Sequence, residues 1–159
     1  RMDPNMARVA AKSGAPVILM HMLGTPRTMQ QSPHYENCVE EIAVFFRERI
    51  EFCERRGISR ERLILDPGIG FGKRLVDNLA ILAGLAKFAE IGLPILVGAS
   101  RKSFIGQVHA DGRPAAERRG GSIAAALIAI QRGAHIVRVH DVAETVEALR
   151  VLGAIAEES

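Results

Sequence analysis

The chain has 159 residues, of which 48% are hydrophobic and 25% are charged, and its formal net charge is +3. These are ordinary values for a globular domain and exclude a disordered tail, a collagen and a coiled-coil rod. Aromatic residues make up 4% of the chain without tryptophan, which argues against a base-stacking surface for nucleic acid.

Helices and strands alternate along the chain. The first predicted helix runs over 3–12, with Asp3 as its N-cap, Pro4 at its first position and Gly14 after its end. Four strand–helix units then follow. Their strands are predicted at 16–20, 63–66, 94–98 and 135–139, and their helices at 38–56, 76–90, 122–133 and 141–157.

The later helices carry more specific signals. Ser122 is the expected N-cap of a helix that is apolar nearly all round, which predicts burial on every side. Asp141 and Glu144 have the spacing of a capping box at the start of the last helix. Between the third strand and the Ser122 helix, a basic loop over 99–119 has room for one short helix.

Strand–helix alternation predicts parallel strands in a covered α/β sheet. A doubly wound sheet fits this pattern, but polar groups follow every strand, as in a TIM-type (β/α)8 barrel. These groups are His21, Asp66, the run 100–102 and His140. A full barrel needs eight units and about 250 residues. We therefore expect one domain over 1–159 that comprises about four βα units, the C-terminal half of a barrel, and lacks its N-terminal part.

The two cysteines, Cys38 and Cys53, fall in one predicted helix about 22 Å apart along its axis. That separation is too large for a disulfide, which needs Cα atoms within about 7 Å. Two unpaired thiols indicate a reducing compartment. The sequence also shows no charged-then-apolar leader and no apolar run near ~18 residues, so we expect a cytoplasmic protein without a membrane span.

The sharpest motif spans 66–73 and reads DPGIGFGK. It departs from the phosphate-binding P-loop and from the dinucleotide fingerprint at required positions. Three glycines after a strand let the backbone approach a ligand, Asp66 offers acceptors to a ring N–H and an amino group, and Phe71 offers a flat apolar face. A glycine-rich turn with a capping Asp remains the alternative.

Two further strand ends carry cations. Lys102 follows the third strand and offers a point charge to a carbonyl, and a solvated basic loop remains the alternative. Arg138 and His140 alternate about Val139 on one side of the fourth strand, beside a helix start, which indicates an anion or phosphate site. At the first strand, Met20 offers an apolar wall, and His21 is expected to be structural. No metal-ligand cluster is visible in the sequence.

Taken together, these segments resemble the dihydropteroate synthases of the pterin-binding family. The matching pieces are MHMLGTPRTMQ (20–30), DPGIGFGK (66–73), NL (78–79), GASRKSFIG (98–106), GGSIAAA (120–126) and RVHDVAET (138–145). The resemblance implies a βα-barrel of folate biosynthesis that joins 6-hydroxymethyl-7,8-dihydropterin pyrophosphate to p-aminobenzoate. The products are 7,8-dihydropteroate and pyrophosphate, Mg²⁺ takes part, and sulfonamides compete with p-aminobenzoate.

The resemblance also implies roles for individual residues. The pterin would be bound by Asp66, Lys102, Met20 and Gly98. The p-aminobenzoate would be bound by Phe71, Arg101 and Ser103. Arg138 and His140 would hold the leaving pyrophosphate, and they would be catalytic together with Asp66 and Lys102.

Family members begin with about four more βα units, which carry the Asn that binds Mg²⁺. This chain is therefore expected to hold no metal ligand of its own, to meet Mg²⁺ through pyrophosphate and the missing half, and to pair with that half or to self-associate. The family also dimerises through its last helices, which makes a homodimer the expected partner. Two alternatives stay open: a pterin-binding methyltransferase domain, and an inactive half-barrel that only binds or assembles.

Overall fold

The computed structural model describes residues 3, 5–109 and 112–158. Four strands alternate with seven helices in this part of the chain. The strands are β1 (Val17–Met20), β2 (Leu63–Asp66), β3 (Leu96–Val97) and β4 (Ile136–Val137). The helices are α1 (Met6–Ser13), α2 (Cys38–Glu54), α3 (Leu75–Ala83), α4 (Leu85–Ala89), α5 (Ser103–Val108), α6 (Arg119–Gln131) and α7 (Val142–Glu157).

The four strands run parallel and lie side by side in chain order. β1 pairs with β2 from Val17↔Leu63 to Met20↔Asp66, and β3 pairs with β4. A parallel bridge between Leu65 and Ile95 joins the two pairs. Because right-handed crossovers between strands in sequential order place successive helices on the same side, the helices cover one face of the sheet. The observed architecture is therefore a parallel α/β arrangement, and its strand order is sequential, whereas a doubly wound sheet reverses its order.

The core lies between this sheet and its helices. Leu63 and Leu65 point from β2 into it and are fully buried. From α2 and α4, Phe46 and Phe88 meet edge to face, with ring centroids 5.5 Å apart. The opposite face of the sheet is less covered, since the side chain of Ile18 is 50% exposed and that of Ile136 is 38% exposed. Parallel sheets normally bury both faces, so this second apolar face is unusual.

Three helix predictions need correction. The helix expected over 76–90 is two helices, because the chain breaks at Gly84, where a Cβ would come within 3.3 Å of both methyl groups of Val39. The helix expected to begin at Ser122 begins three residues earlier, and the Ser122 hydroxyl donates back to the carbonyl of Arg118. That helix, α6, is buried on one side only, since Ile128 is 42% exposed.

The expected capping box of the last helix is absent. Asp141 does precede α7, but its carboxylate makes no cap hydrogen bond and instead pairs with the guanidinium of Arg101. The prediction failed because an arginine from another unit competes for the same carboxylate.

Other elements agree with the sequence. α1 ends at Gly14, which has a left-handed backbone, whereas the expected Pro4 lies outside the described residues. Cys38 and Cys53 lie in α2, buried and unpaired with each other. No helix in residues 3, 5–109 and 112–158 is long and apolar enough to cross a membrane.

The turn after β2 passes unusually close to the end of β1. Gly68 has a φ of +69°, and a Cβ at this position would overlap the carbonyl oxygen of His21. Gly14 has the same φ, but no atom lies within 4 Å of its Cβ position. The two glycines therefore share the cost of a left-handed backbone, while only Gly68 is also required by close packing.

We predict that Gly68→Ala lowers the free energy of unfolding by about 1–3 kcal/mol more than Gly14→Ala does. The shared left-handed strain costs about 1–2 kcal/mol in each variant, so the difference isolates the contact with His21. Urea unfolding of the two variants measures it. Equal losses in both would contradict the close packing of the two turns.

Candidate active site

Three strand ends bring a carboxylate, two cations and an aromatic ring together. Asp66 is the last residue of β2 and is 2% exposed. The Arg138 Nη2 atom, from just beyond β4, lies 3.6 Å from its Oδ2 atom. The ammonium of Lys102, after β3, lies 3.9 Å from the centroid of the Phe71 ring. Parallel strands end at one edge of the sheet, which explains this meeting of distant residues.

The Asp66 carboxylate is held in place by a hydrogen bond, and nearby positive charges offset only part of the cost of burying its negative charge. Its Oδ1 atom accepts a hydrogen bond of 2.8 Å from the backbone N–H of Gly68. Burial raises the pKa of Asp66, although this hydrogen bond and the charges of Arg138, Lys73 and Lys102 act in the opposite direction. A buried carboxylate whose acceptor capacity exceeds its protein partners is suited to a ligand with N–H donors.

Lys102 has a perturbed environment of the same kind. Burial lowers the pKa of Lys102, and the nearby charge of Arg138 lowers it further, while Asp66 raises it. Its stem lies against the glycine loop, since a Cβ at Gly70 would be 3.2 Å from the Lys102 Cδ atom. Titratable groups with shifted pKa values that share one strand edge are typical of functional sites.

Gly98 gives Arg138 room to reach Asp66. A Cβ at position 98 would lie 2.8 Å from Arg138 Nη2 and 3.0 Å from Nε, so any other residue would displace the guanidinium. Gly98 lies just beyond β3 and is buried. The guanidinium of Arg138 is otherwise open, with its side chain 58% exposed.

His140 is held by Ser100, a residue that follows β3. Its Nδ1 atom lies 3.0 Å from the hydroxyl of the buried Ser100, and its backbone N–H donates to the same oxygen at 3.2 Å. β4 ends at Val137 rather than at Val139, so Arg138 and His140 both lie beyond the strand, with one held by Asp66 and the other by Ser100.

Arg101 has a different neighbourhood from Phe71. Its guanidinium makes two hydrogen bonds to the Asp141 carboxylate, of 2.7 and 3.2 Å, and its backbone has a φ of +58°. Its N–H donates to the hydroxyl of Ser122 at 2.9 Å. Arg119 joins the same carboxylate at 3.4 Å. This network ties the ends of β3 and β4 together. Ser103, the first residue of α5, is exposed beside Lys102.

The sequence reasoning missed the residues that hold the glycine loop over 66–73. Asn78 accepts from the N–H of Gly70 at 2.7 Å, and Gln30 donates to the carbonyl of Gly70 at 2.8 Å. The buried hydroxyl of Tyr35 donates to the carbonyl of Gly72 at 2.8 Å. Asn78 stood in a matching piece of the resemblance, so its signal was present but had no assigned role.

Two residues near the end of β1 complete this edge. Met20 is half-buried and pairs in register with Asp66, close enough that a Cβ at Gly68 would touch its Cγ atom at 3.5 Å. His21 is 7% exposed, contacts the ring of Phe45 edge to face and lies 3.0 Å from the ammonium of Lys73. This agrees with the structural role expected for His21.

Among the described residues, no group of three or more His, Cys, Asp or Glu side chains is placed to hold a metal ion. The one carboxylate at this edge, Asp66, is surrounded by cations, a setting that disfavours a further positive charge. These residues therefore do not fit a protein-bound Mg²⁺.

The sequence of this chain matches a known enzyme family and several of its members. The model of the family described as pterin binding enzyme matches residues 1–140. The dihydropteroate synthase of Escherichia coli (strain K12) is 53% identical over 152 residues, covering 96% of this chain and 53% of the relative. That of Haemophilus influenzae is 48% identical, covering 97% of this chain and 55% of the relative. The chain thus spans about half the length of the curated relatives it matches.

Solved structures agree with the sequence relatives. The Yersinia pestis dihydropteroate synthase in a sulfonamide drug complex has a TM-score of 0.94 and 46% identity, covering 99% of this chain and 57% of that one. The Xanthomonas albilineans enzyme in complex with 7,8-dihydropteroate has a TM-score of 0.89 and 44% identity, covering 97% and 55%. The match over most of its length and the grouping of its motifs at one strand edge show that this chain belongs to the pterin-binding enzyme family.

Proposed function

We propose that this chain supplies part of the active site of a dihydropteroate synthase, the transferase of folate biosynthesis that sulfonamides inhibit. The proposed reaction joins 6-hydroxymethyl-7,8-dihydropterin pyrophosphate to p-aminobenzoate. The observation that carries the proposal is the convergence of Asp66, Lys102 and Arg138 at one strand edge. The name of the Escherichia coli relative, a dihydropteroate synthase at 53% sequence identity, supports the same reaction.

The pterin end of the site is assigned to Asp66. The ionised carboxylate would accept hydrogen bonds from the ring N–H and the amino group of the pterin. Lys102, whose ammonium lies over the Phe71 ring, would also donate to the pterin, and Met20 and Gly98 would line the pocket. The burial of Asp66 strengthens such bonds because little water competes for them.

The leaving-group end is assigned to Arg138 and His140. The bond between the pterin methylene and the pyrophosphate oxygen breaks, and its electron pair leaves with the pyrophosphate. Cationic partners that stabilise this growing charge lower the barrier. The electron-rich pterin stabilises the cationic methylene. The amine nitrogen of p-aminobenzoate then forms the new C–N bond and releases a proton, so no covalent enzyme intermediate is required.

The p-aminobenzoate end is assigned to Phe71, Ser103 and Arg101. Phe71 and Ser103 flank Lys102, which supports their assignment. Arg101 is already bound to Asp141, so its guanidinium would have to exchange that partner in order to reach the substrate. Mg²⁺ would accompany the pyrophosphate and be held by residues that this chain does not supply.

The exposed sheet face supports a (β/α)8 barrel completed by further strands. In a barrel, Ile18 and Ile136 would point to the interior and lose their exposure. The proposed partner is the other half of the barrel or a second copy in its place. The exposed apolar side chains of α7, Val142, Val146, Val151 and Ile155, support a homodimer through the last helices.

We predict that the 159-residue chain on its own self-associates, because one apolar sheet face and several apolar side chains of α7 would otherwise stay in water. Static light scattering on the purified chain measures its mass. Ile18→Glu places a charge on the sheet face, whereas Val151→Glu places one on α7, so the two variants separate the two surfaces. A soluble monomer at high concentration would contradict both proposed contacts.

The test of the function itself is pyrophosphate release from the pterin pyrophosphate, with p-aminobenzoate and Mg²⁺ present. We expect no release from this chain alone, and release that depends on p-aminobenzoate once the unmatched segment of the Escherichia coli relative is added. Release by the chain alone would confirm the synthase and contradict the need for a second half. No release in either mixture would shift support to a methyltransferase domain or an inactive half-barrel.

Variants locate that activity in the proposed residues. Lys102→Ala or Arg138→Ala is expected to lower turnover by about 10²–10³-fold, since each removes a charge from the site of bond breaking. Both side chains are partly exposed, so the fold should survive, which circular dichroism would verify. Lys87→Ala, on the surface of α4, is the matched control and should leave turnover unchanged. Near-normal turnover in both site variants would contradict the assignment.

We predict that Asp66→Asn makes the protein more stable to heat at pH 7. Burial raises the pKa of Asp66, so the folded state favours the protonated carboxyl and loses stability as the pH rises through that pKa. Asparagine resembles the protonated form, and its advantage should therefore shrink as the pH is lowered. Thermal unfolding at several pH values measures both effects.

Asp77→Asn is the opposite control for this prediction. Hydrogen bonds from Arg74 lower the pKa of Asp77, so its ionised form stabilises the fold above the ordinary carboxyl pKa and that stabilisation is lost on acidification. Asp77→Asn should therefore lower the melting temperature at pH 7. If Asp66→Asn did the same, the carboxylate of Asp66 would be a structural rather than a functional group.

A further inference from the structure

Lys73 is a buried lysine that the proposed reaction does not use. It ends the glycine loop and is 5% exposed. Its ammonium lies 3.0 Å from the Nδ1 atom of His21 and 3.0 Å from the backbone carbonyl oxygen of Phe71. The side chain thus joins the loop after β2 to the residue that follows β1.

The charges around Lys73 explain its protonation state. Burial lowers the pKa of Lys73 to about 8, and the charge of Lys102 acts in the same direction, whereas Asp66, Asp77 and Cys38 act against it. At neutral pH the group is still mainly an ammonium. It therefore donates to both acceptors, which requires that His21 carry its proton on Nε2 when neutral.

The Phe71 carbonyl held by Lys73 belongs to the residue whose ring lies under the Lys102 ammonium. The carbonyls on either side are held as well, that of Gly70 by Gln30 and that of Gly72 by Tyr35. The Phe71 carbonyl differs from these two because it accepts a hydrogen bond from a buried, charged side chain, that of Lys73. An apolar side chain of similar length would be cheaper to bury at this position, so the ammonium needs another explanation.

We propose that Lys73 and His21 form a positioning pair that fixes the Phe71 peptide and thereby seats the Phe71 ring beneath the Lys102 ammonium. The pair acts through Phe71 and touches no substrate. Its consequence for p-aminobenzoate rests on the proposed function, because Phe71 is assigned to that substrate. The seating of the ring itself does not depend on any activity.

The position of the Phe71 ring relative to the Lys102 side chain can be measured by NMR, because lysine signals are few. The chain has only four lysines, Lys12, Lys73, Lys87 and Lys102. With ¹³C at the lysine ε carbons, the methylene protons beside the Lys102 ammonium should be shifted upfield by the Phe71 ring current. Lys73→Met removes the hydrogen bond and keeps the side-chain length. We expect the Lys102 signal to move downfield, toward the signals of the exposed lysines.

Two controls make this result specific. Lys87→Met is the same substitution at a surface lysine, which pairs with Glu90 at 3.4 Å, and it should leave the Lys102 signal in place. His21→Ala removes the second acceptor of Lys73 and should move the signal in the same direction as Lys73→Met, by a smaller amount. His21→Ala also carries the test if Lys73→Met does not fold.

An unshifted Lys102 signal in the parent chain, or one that Lys73→Met and His21→Ala both leave unmoved, would overturn the pair. In the complemented enzyme, Lys73→Met should raise the KM for p-aminobenzoate about fivefold and change the KM for the pterin pyrophosphate much less. Equal changes in both constants would indicate a merely structural role and overturn the proposal. A moved Lys102 signal without any turnover would contradict the proposed function and leave the positioning pair supported.

Discussion

Burial of the Asp66 carboxylate at the end of β2 constrains the whole functional edge. A carboxylate that is 2% exposed must be compensated, and the chain surrounds it with the Gly68 N–H and with cations from three different positions. Each cation then needs its own support. Arg138 lies across Gly98, and Lys73 reaches the carbonyl of Phe71. Burial still raises the pKa of Asp66, and its Oδ2 atom, which lies 3.6 Å from Arg138, keeps acceptor capacity for a ligand.

The sequential parallel order explains how residues so distant in the chain share this edge. Every strand ends on the same side, so each strand–helix turn adds its first polar residues to the same place. The turns also brace one another. Tyr35 and Gln30 hold the glycine loop of the next unit, and Arg101 holds Asp141 of the unit after its own. The same topology leaves the second sheet face of Ile18 and Ile136 without cover, which is the structural argument for a partner.

Local signals in the sequence predicted the strands and most helix ends. β2 spans the predicted residues, and Gly14 ends α1 with a left-handed backbone, because an apolar run and a glycine act within a few residues. Two of the failures involve distant partners. Asp141 is taken from its cap by Arg101, and Gly84 breaks a helix beside Val39 of another helix. In the candidate site, Asp66, Lys102, Arg138 and His140 were found as strand-end residues, whereas the roles of Tyr35, Asn78 and Lys73 depend on contacts that only the folded chain creates.

The contacts that hold the side chains of the site indicate which parts of the proposed enzyme this chain would contribute. Two of the groups assigned to the pterin and to the pyrophosphate are held by residues of this chain, Asp66 by the backbone N–H of Gly68 and His140 by the hydroxyl of Ser100. Polar groups that are held in this way are oriented before a ligand binds. What the chain does not provide is cover for its inner sheet face and ligands for Mg²⁺ among the described residues. In the proposed enzyme, further strands would therefore cover this sheet face and supply the Mg²⁺ ligands, while this chain would contribute Asp66 to the pterin and Arg138 and His140 to the leaving group.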